Sequence, residues 1–252
     1  MKNTDLFSYV KECENEYKKI FCITDFPEYE IIKRKISIEK ADKSGYESLG
    51  KAIYDIPTGK HTLAICPQID FRIGKSIIFH ELTHILDDEE YVNMDKIRYM
   101  SNHGYTEYHA AQAEMIQLLG VESIHEGISF RMNRVLDTVV GNKTVKEYVE
   151  IPHREAAELI SRTDFPADIE ALAVTIGLIF NYYGKRSICK MYAVDYQDGP
   201  EYEVIQDVLS AKMIKALNEF MVGWFEKGKI DKINEIYQNV IFALVSRYSL
   251  HR

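Results

Sequence analysis

The stretch that most constrains this chain is Ser76-Ile77-Ile78-Phe79-His80-Glu81-Leu82-Thr83-His84-Ile85-Leu86-Asp87, which holds one copy of His-Glu-x-x-His. Residues four apart on a helix lie on one face, one turn from each other, so His80 and His84 present two imidazoles to one point. Glu81 follows about 100° further round the same turn, within reach of a water but off the ligand face. Two neutral nitrogen ligands, an open coordination position and a general base are what a zinc hydrolase requires. Ile77, Ile78, Leu82, Ile85 and Leu86 supply apolar surface to bury the helix. Ser76 or Asp70 is expected to cap its start. The acids Asp87, Asp88, Glu89 and Glu90 oppose the negative end of the helix dipole, so the helix is expected to stop there. The bland alternative is a chance spacing of two histidines on a surface helix, and the helical context on both sides argues against it.

The pattern around this helix predicts an α+β chain, mostly helical. A small antiparallel or mixed N-terminal sheet packs on the His-Glu-x-x-His helix, and the C-terminal half is helical. Residues Leu6 to Cys22 have helical periodicity, ended by Asp25-Phe26-Pro27. The alternation of Ile32, Arg34, Ile36 and Ile38 predicts a strand over Ile31–Ile38, followed by a polar loop over Ser44–Gly50. Ala52–Ile56 and His61–Cys66 flank Pro57-Thr58-Gly59-Lys60, a hairpin signal with Pro and Gly at turn positions. Tyr91 to Tyr105 reads as a polar, aromatic connection. Thr106 then caps a helix from Glu107 to Leu119, which Gly120 ends. Beyond it, helices are expected over Ser123–Val140, Thr144–Glu150, Pro152–Ser161, Pro166–Tyr183, Glu201–Phe225 and Lys229–Tyr248. Pro152 would sit in a first turn, and Gly184, Asp198-Gly199-Pro200 and Gly228 would punctuate. A soft boundary near Gly120 divides the chain into 1–120, carrying the motif, and a helical domain or subdomain over 121–252.

Composition narrows the function. At 252 residues with a net charge of −8, the chain is ill-suited to binding a phosphate backbone. The short basic cluster Lys33-Arg34-Lys35 reads as a solvated strand edge. The apolar run from Ala171 to Phe180 is too short to span a bilayer. The first residues show no apolar export segment, and Cys13, Cys22, Cys66 and Cys189 form no Cys-x-x-Cys pair. The expectation is a cytoplasmic protein with reduced thiols and no membrane partner. Oligomeric state is not encoded in any pattern we identify.

A catalytic zinc usually takes three protein ligands. The helix after the motif offers Glu107 and Glu114, seven apart on one face, with Ala110 and Ala111 between them to allow close approach. Glu107 is favoured as the third ligand, with Glu114 as the alternative. Asp87, three residues beyond His84, is a short-range candidate that better suits a supporting or helix-end role. Donors to a developing oxyanion can be sought among His103, His109, His125, Tyr99 and Tyr105. Tyr105 and His109 rank first because they flank Glu107, and together with Glu81 they form the expected catalytic set.

His80-Glu81-x-x-His84 followed by Glu107-x-x-Ala110 resembles the gluzincin-type metallopeptidases of the ImmA/IrrE group. The resemblance covers about Ile31 to Leu119. It implies zinc held by His80, His84 and Glu107, Glu81 as base, and a small cytosolic bacterial or phage-associated protein. Some members of that group cut or relieve a transcriptional repressor. The family often continues the third-ligand helix with an aromatic residue and alanine, where this chain has Ala113-Glu114. The expected function is therefore zinc-dependent hydrolysis of a protein or peptide substrate, which an edge strand of the small sheet can hold by strand addition. The rival from another class is a zinc-containing regulatory or protein-binding molecule whose peptidase activity is vestigial or gated by a partner.

Overall fold

The computed structural model describes residues 5–34, 49–199, 203–219, 224 and 227–248. The chain opens with helix α1 (Leu6–Phe21), capped by the Asp5 carboxylate, which accepts from the Ser8 N–H. Strands β1 (Tyr29–Lys33), β2 (Gly50–Asp55) and β3 (Lys60–Ile65) form a mixed sheet in the order β1-β3-β2. β1 runs parallel to β3 with Ile31 opposite Leu63, and β2 runs antiparallel with Ala52 opposite Leu63. The expected strand over Ile31–Ile38 and loop over Ser44–Gly50 lie partly outside the described residues.

Helix α2 (Lys75–Asp87) carries the motif. Neither expected cap forms. Gly74 occupies the cap position without a side-chain bond. The Asp70 carboxylate accepts from the Arg72 N–H, and Ser76 is already inside the helix and buried. A single π-helical turn, Asp88–Val92, follows α2. α2 and β2 pack together, and α1 covers the back of α2. There Thr83 donates to the Phe79 carbonyl at 2.9 Å, so Tyr17 donates its own hydroxyl proton to Thr83 at 2.9 Å.

Helix α3 (Lys96–Leu118) corrects the expected connection and the Thr106 cap. Asp95 caps it instead, accepting from Ile97 and Arg98, so the helix begins more than two turns before Thr106. Gly104 does not interrupt it. A Cβ there would sit 2.5 Å from the Tyr237 ring, so the missing side chain lets a distant helix press against α3.

The segment expected to be helical over Ser123–Val140 is instead a loop leading into a hairpin of β4 (Val135–Thr138) and β5 (Gly141–Thr144). Branched residues Val135, Thr138, Val139 and Val140 favour extended backbone, and Gly141 adopts φ +89°, which a side chain would resist. Thr144 and Glu147 then form a capping box that starts α4 (Val145–Ile160). That helix is continuous, with Pro152 inside it rather than in a first turn.

Helix α5 (Ile169–Tyr192) also outruns its expected end, because Gly184 lies at a helix crossing where a Cβ would collide with the Tyr108 carbonyl. The expected Glu201–Phe225 helix is divided into α6 (Glu203–Val208) and α7 (Ala211–Glu219) around Ser210, with its ends outside the described residues. Helix α8 (Lys227–Arg247) closes the described chain. Thus the expectation of a mostly helical α+β fold holds, with a small mixed sheet packed on α2. α3 packs against α2, α5 and α8, and one apolar cluster runs from α1 through α8, across Gly120 where α3 ends. Among the described residues no helix is long and apolar enough to cross a membrane.

Candidate metal centre

α2 and α3 bring three side chains to one point. Ligand atoms of His80, His84 and Glu107 all lie within 4.8 Å of one another. The two imidazoles stand one turn apart with ring centroids 4.8 Å apart and planes at 77°. His80 Nε2 is 3.6 Å from one carboxylate oxygen of Glu107, and His84 Nε2 is 3.8 Å from the other. These separations are too long for hydrogen bonds. Atoms bound to one tetrahedral zinc at 2.0–2.2 Å lie roughly 3.3–3.6 Å from each other, so the three groups would close in by up to about an ångström around an ion.

The far nitrogens of both rings are engaged. His80 Nδ1 lies 3.3 Å from Glu114 Oε2, and His84 Nδ1 lies 2.7 Å from the Thr106 hydroxyl. A carboxylate can only accept, so His80 carries its hydrogen on Nδ1. The Thr106 hydroxyl, which can donate or accept, is the partner of His84 Nδ1. Glu114 and Thr106 thus hold the two rings by Nδ1 and leave each Nε2 facing Glu107, the outer support typical of metal-bound histidines.

Glu81 sits beside the cluster, 8% exposed, and its Oε2 accepts from the Ala52 N–H at 2.6 Å. That bond comes from β2, the outer strand of the sheet, and fixes the carboxylate on the sheet side of α2. Burial pushes the Glu81 carboxyl above its ordinary range, with the charge of His80 and the Ala52 N–H opposing. The two histidines diverge. Burial lowers both, but at His80 the carboxylates of Glu107 and Glu114 outweigh it and raise the ring to about 10. At His84 burial prevails and holds the ring at about 3, neutral. Glu107 is kept well below the usual carboxylate range, because His80, His84 and His103 overcome its burial.

The carboxylates of Glu81, Glu107 and Glu114 act on the His80 ring, and Glu114 also accepts from the buried Lys185 ammonium. A ligand set of two nitrogens and one carboxylate suits zinc. Of the two glutamates weighed from sequence, Glu107 joins the group and Glu114 supports it from behind His80.

The expected catalytic pair is placed differently. Tyr105 and His109 share a face of α3 roughly 160–200° round from Glu107. The Tyr105 hydroxyl lies 3.3 Å from His109 Nδ1, which is itself 2.9 Å from Asp87. Tyr105 is buried against Ile230 and Ile233. Both therefore meet the α2–α3 interface through Asp87. His103, one turn before Glu107, is the half-buried histidine on the cluster's own face of α3. Tyr99 stacks near Tyr54, and His125 lies in the loop after α3.

Sequence reasoning missed four groups: Thr106, the Ala52 N–H, Tyr148 and Lys185. Only Lys185 carried a signal. Lys185-Arg186 interrupts the apolar run of α5, and charges on such a helix are buried only with partners. Comparison of the chain with protein-family models, with curated proteins and with solved structures finds no match.

Proposed function

We propose that this protein is a zinc-dependent peptidase. One observation carries the reading: His80 and His84 point their Nε2 atoms at Glu107 while Glu114 and Thr106 hold both rings from behind. His80, His84 and Glu107 would hold the ion. When bound, zinc supplies Lewis-acid polarisation of a carbonyl and a more acidic water.

The chain's own residues do the rest. Glu81, fixed by the Ala52 N–H, takes a proton from the attacking water and delivers it to the leaving amine as the C–N bond breaks. Its raised carboxyl suits a group that both accepts and returns a proton. Among the described residues β2 is an edge strand of the sheet and lies beside Glu81, which favours an extended peptide or protein segment as substrate. The net charge of −8 disfavours nucleic acid. The likeness of residues 80–84 and 107–110 to the ImmA/IrrE group, and the cytoplasmic setting that group implies, belong to this proposal.

The test is Glu81→Gln. The variant is expected to bind zinc as the wild type does and to lose about 10²–10⁴-fold in peptide turnover, the usual contribution of a general base. Undiminished turnover contradicts the role given to Glu81.

A further inference from the structure

We infer that Lys185 and Tyr148, from the C-terminal half of the chain, are positioning residues of the metal centre: together they lock Glu114 so that it sets the orientation of the His80 ring. The inference rests on the zinc reading above and extends it to two helices that contribute no ligand.

Glu114 divides its two oxygens. Oε2 faces His80 Nδ1 at 3.3 Å. Oε1 accepts from Lys185 Nζ at 3.2 Å and from the Tyr148 hydroxyl. The Lys185 ammonium also stands 4.2 Å from the centre of the Tyr148 ring. Lys185, Glu114 and Tyr148 are 6%, 7% and 5% exposed, so water does not compete for these bonds. The last torsion of a glutamate is soft and roughly two-fold, so an unrestrained carboxylate presents no fixed oxygen to its neighbour. Two donors on Oε1 remove that freedom, and Oε2 is left aimed at the imidazole.

A purely structural ion pair gives a poorer account of this arrangement. Burying a lysine and a glutamate costs several kcal/mol per ion in desolvation, and apolar pairs of similar volume often serve stability as well or better. Here the acid is shared with His80, and both of its donors converge on the oxygen that His80 does not use. Orientation of the ring is what the arrangement fixes. Outer partners of metal-bound histidines typically govern metal affinity by about 10–100-fold.

The experiment uses the full chain. Zinc affinity is measured by competition with a chelator, the visible spectrum is recorded with cobalt(II) in place of zinc, and thermal melting is followed on the zinc-free protein. The variants are Tyr148→Phe, which keeps the ring and removes one donor, and Lys185→Met, which keeps the stem and removes the charge. Each is expected to weaken zinc binding by about 10–100-fold and to shift the cobalt band. Folded Tyr148→Phe protein with wild-type zinc affinity and an unchanged cobalt spectrum overturns the inference, even if its melting temperature falls. If Lys185→Met does not fold, Tyr148→Phe decides alone. A wild-type chain that takes up no zinc overturns the metal reading itself, which is a different failure.

Discussion

The two sides of the candidate centre are built by different means. On the α2 side, His80, Glu81 and His84 come from a single turn of helix, and their mutual placement follows from helix geometry alone. On the α4–α5 side, Tyr148 and Lys185 reach Glu114 across 34 and 71 residues of sequence, and only tertiary packing brings them there. In the proposed reading the α2 side would supply ligands and a base, and the α4–α5 side supplies fixed donors to Glu114. The groups proposed to bind the ion and act as base on α2 are encoded by local periodicity, whereas the groups that hold Glu114 are encoded by the core.

That contrast can be broken by substitution. The largest effect is expected on the α2 side. His84→Ala or His80→Ala removes a ligand, and zinc affinity should fall by more than the roughly 10–100-fold attached to outer partners. Chelator competition measures it, and a smaller loss than that seen for Tyr148→Phe would erase the distinction between the two sides.

Next comes Thr106→Val, which keeps the shape of the side chain and removes the hydroxyl partner of His84 Nδ1. Zinc affinity is expected to fall by about tenfold, the low end for an outer partner, since a neutral hydroxyl holds the ring less firmly than a carboxylate. An effect equal to that of His84→Ala would make Thr106 part of the primary set.

The smallest effect is a proton count. His80, between Glu107 and Glu114, is raised to about 10 and is protonated at pH 7, whereas His84 is held at about 3 and is neutral. Zinc needs neutral imidazoles, so binding at pH 7 is expected to release about one proton, and affinity should rise with pH until His80 has lost its proton. Calorimetry in buffers of different ionisation enthalpy gives the number. Release of none would remove the asymmetry between the two rings.

The same contrast explains what the sequence could convey. The His80–Glu81–His84 spacing, the β2–β3 hairpin around Pro57 and Gly59, and the mostly helical α+β class all rest on short-range rules, and the structure agrees with each. The start of α3 differs from the expected Thr106 cap because the polar, aromatic residues from Lys96 to Tyr105 are helical, and Gly104 among them admits Tyr237, a residue more than a hundred positions away. The β4–β5 hairpin was misread because its apolar residues fit a helix as well as a strand, and branched side chains with Gly141 tipped the balance. Glu107 and Glu114 share a face of α3, so periodicity alone left them level. Lys185 and Tyr148 separate them, by drawing Glu114 into a supporting role.

The central claim is that His80, His84 and Glu107 hold a divalent ion. Crystals of the full chain grown with zinc, measured for anomalous scattering at the zinc edge, test it most directly. The expected result is one strong peak about 2.0–2.2 Å from His80 Nε2, His84 Nε2 and a Glu107 carboxylate oxygen, with Glu114 still behind His80. No peak at that point, or a peak bound by Glu114 in place of Glu107, contradicts it.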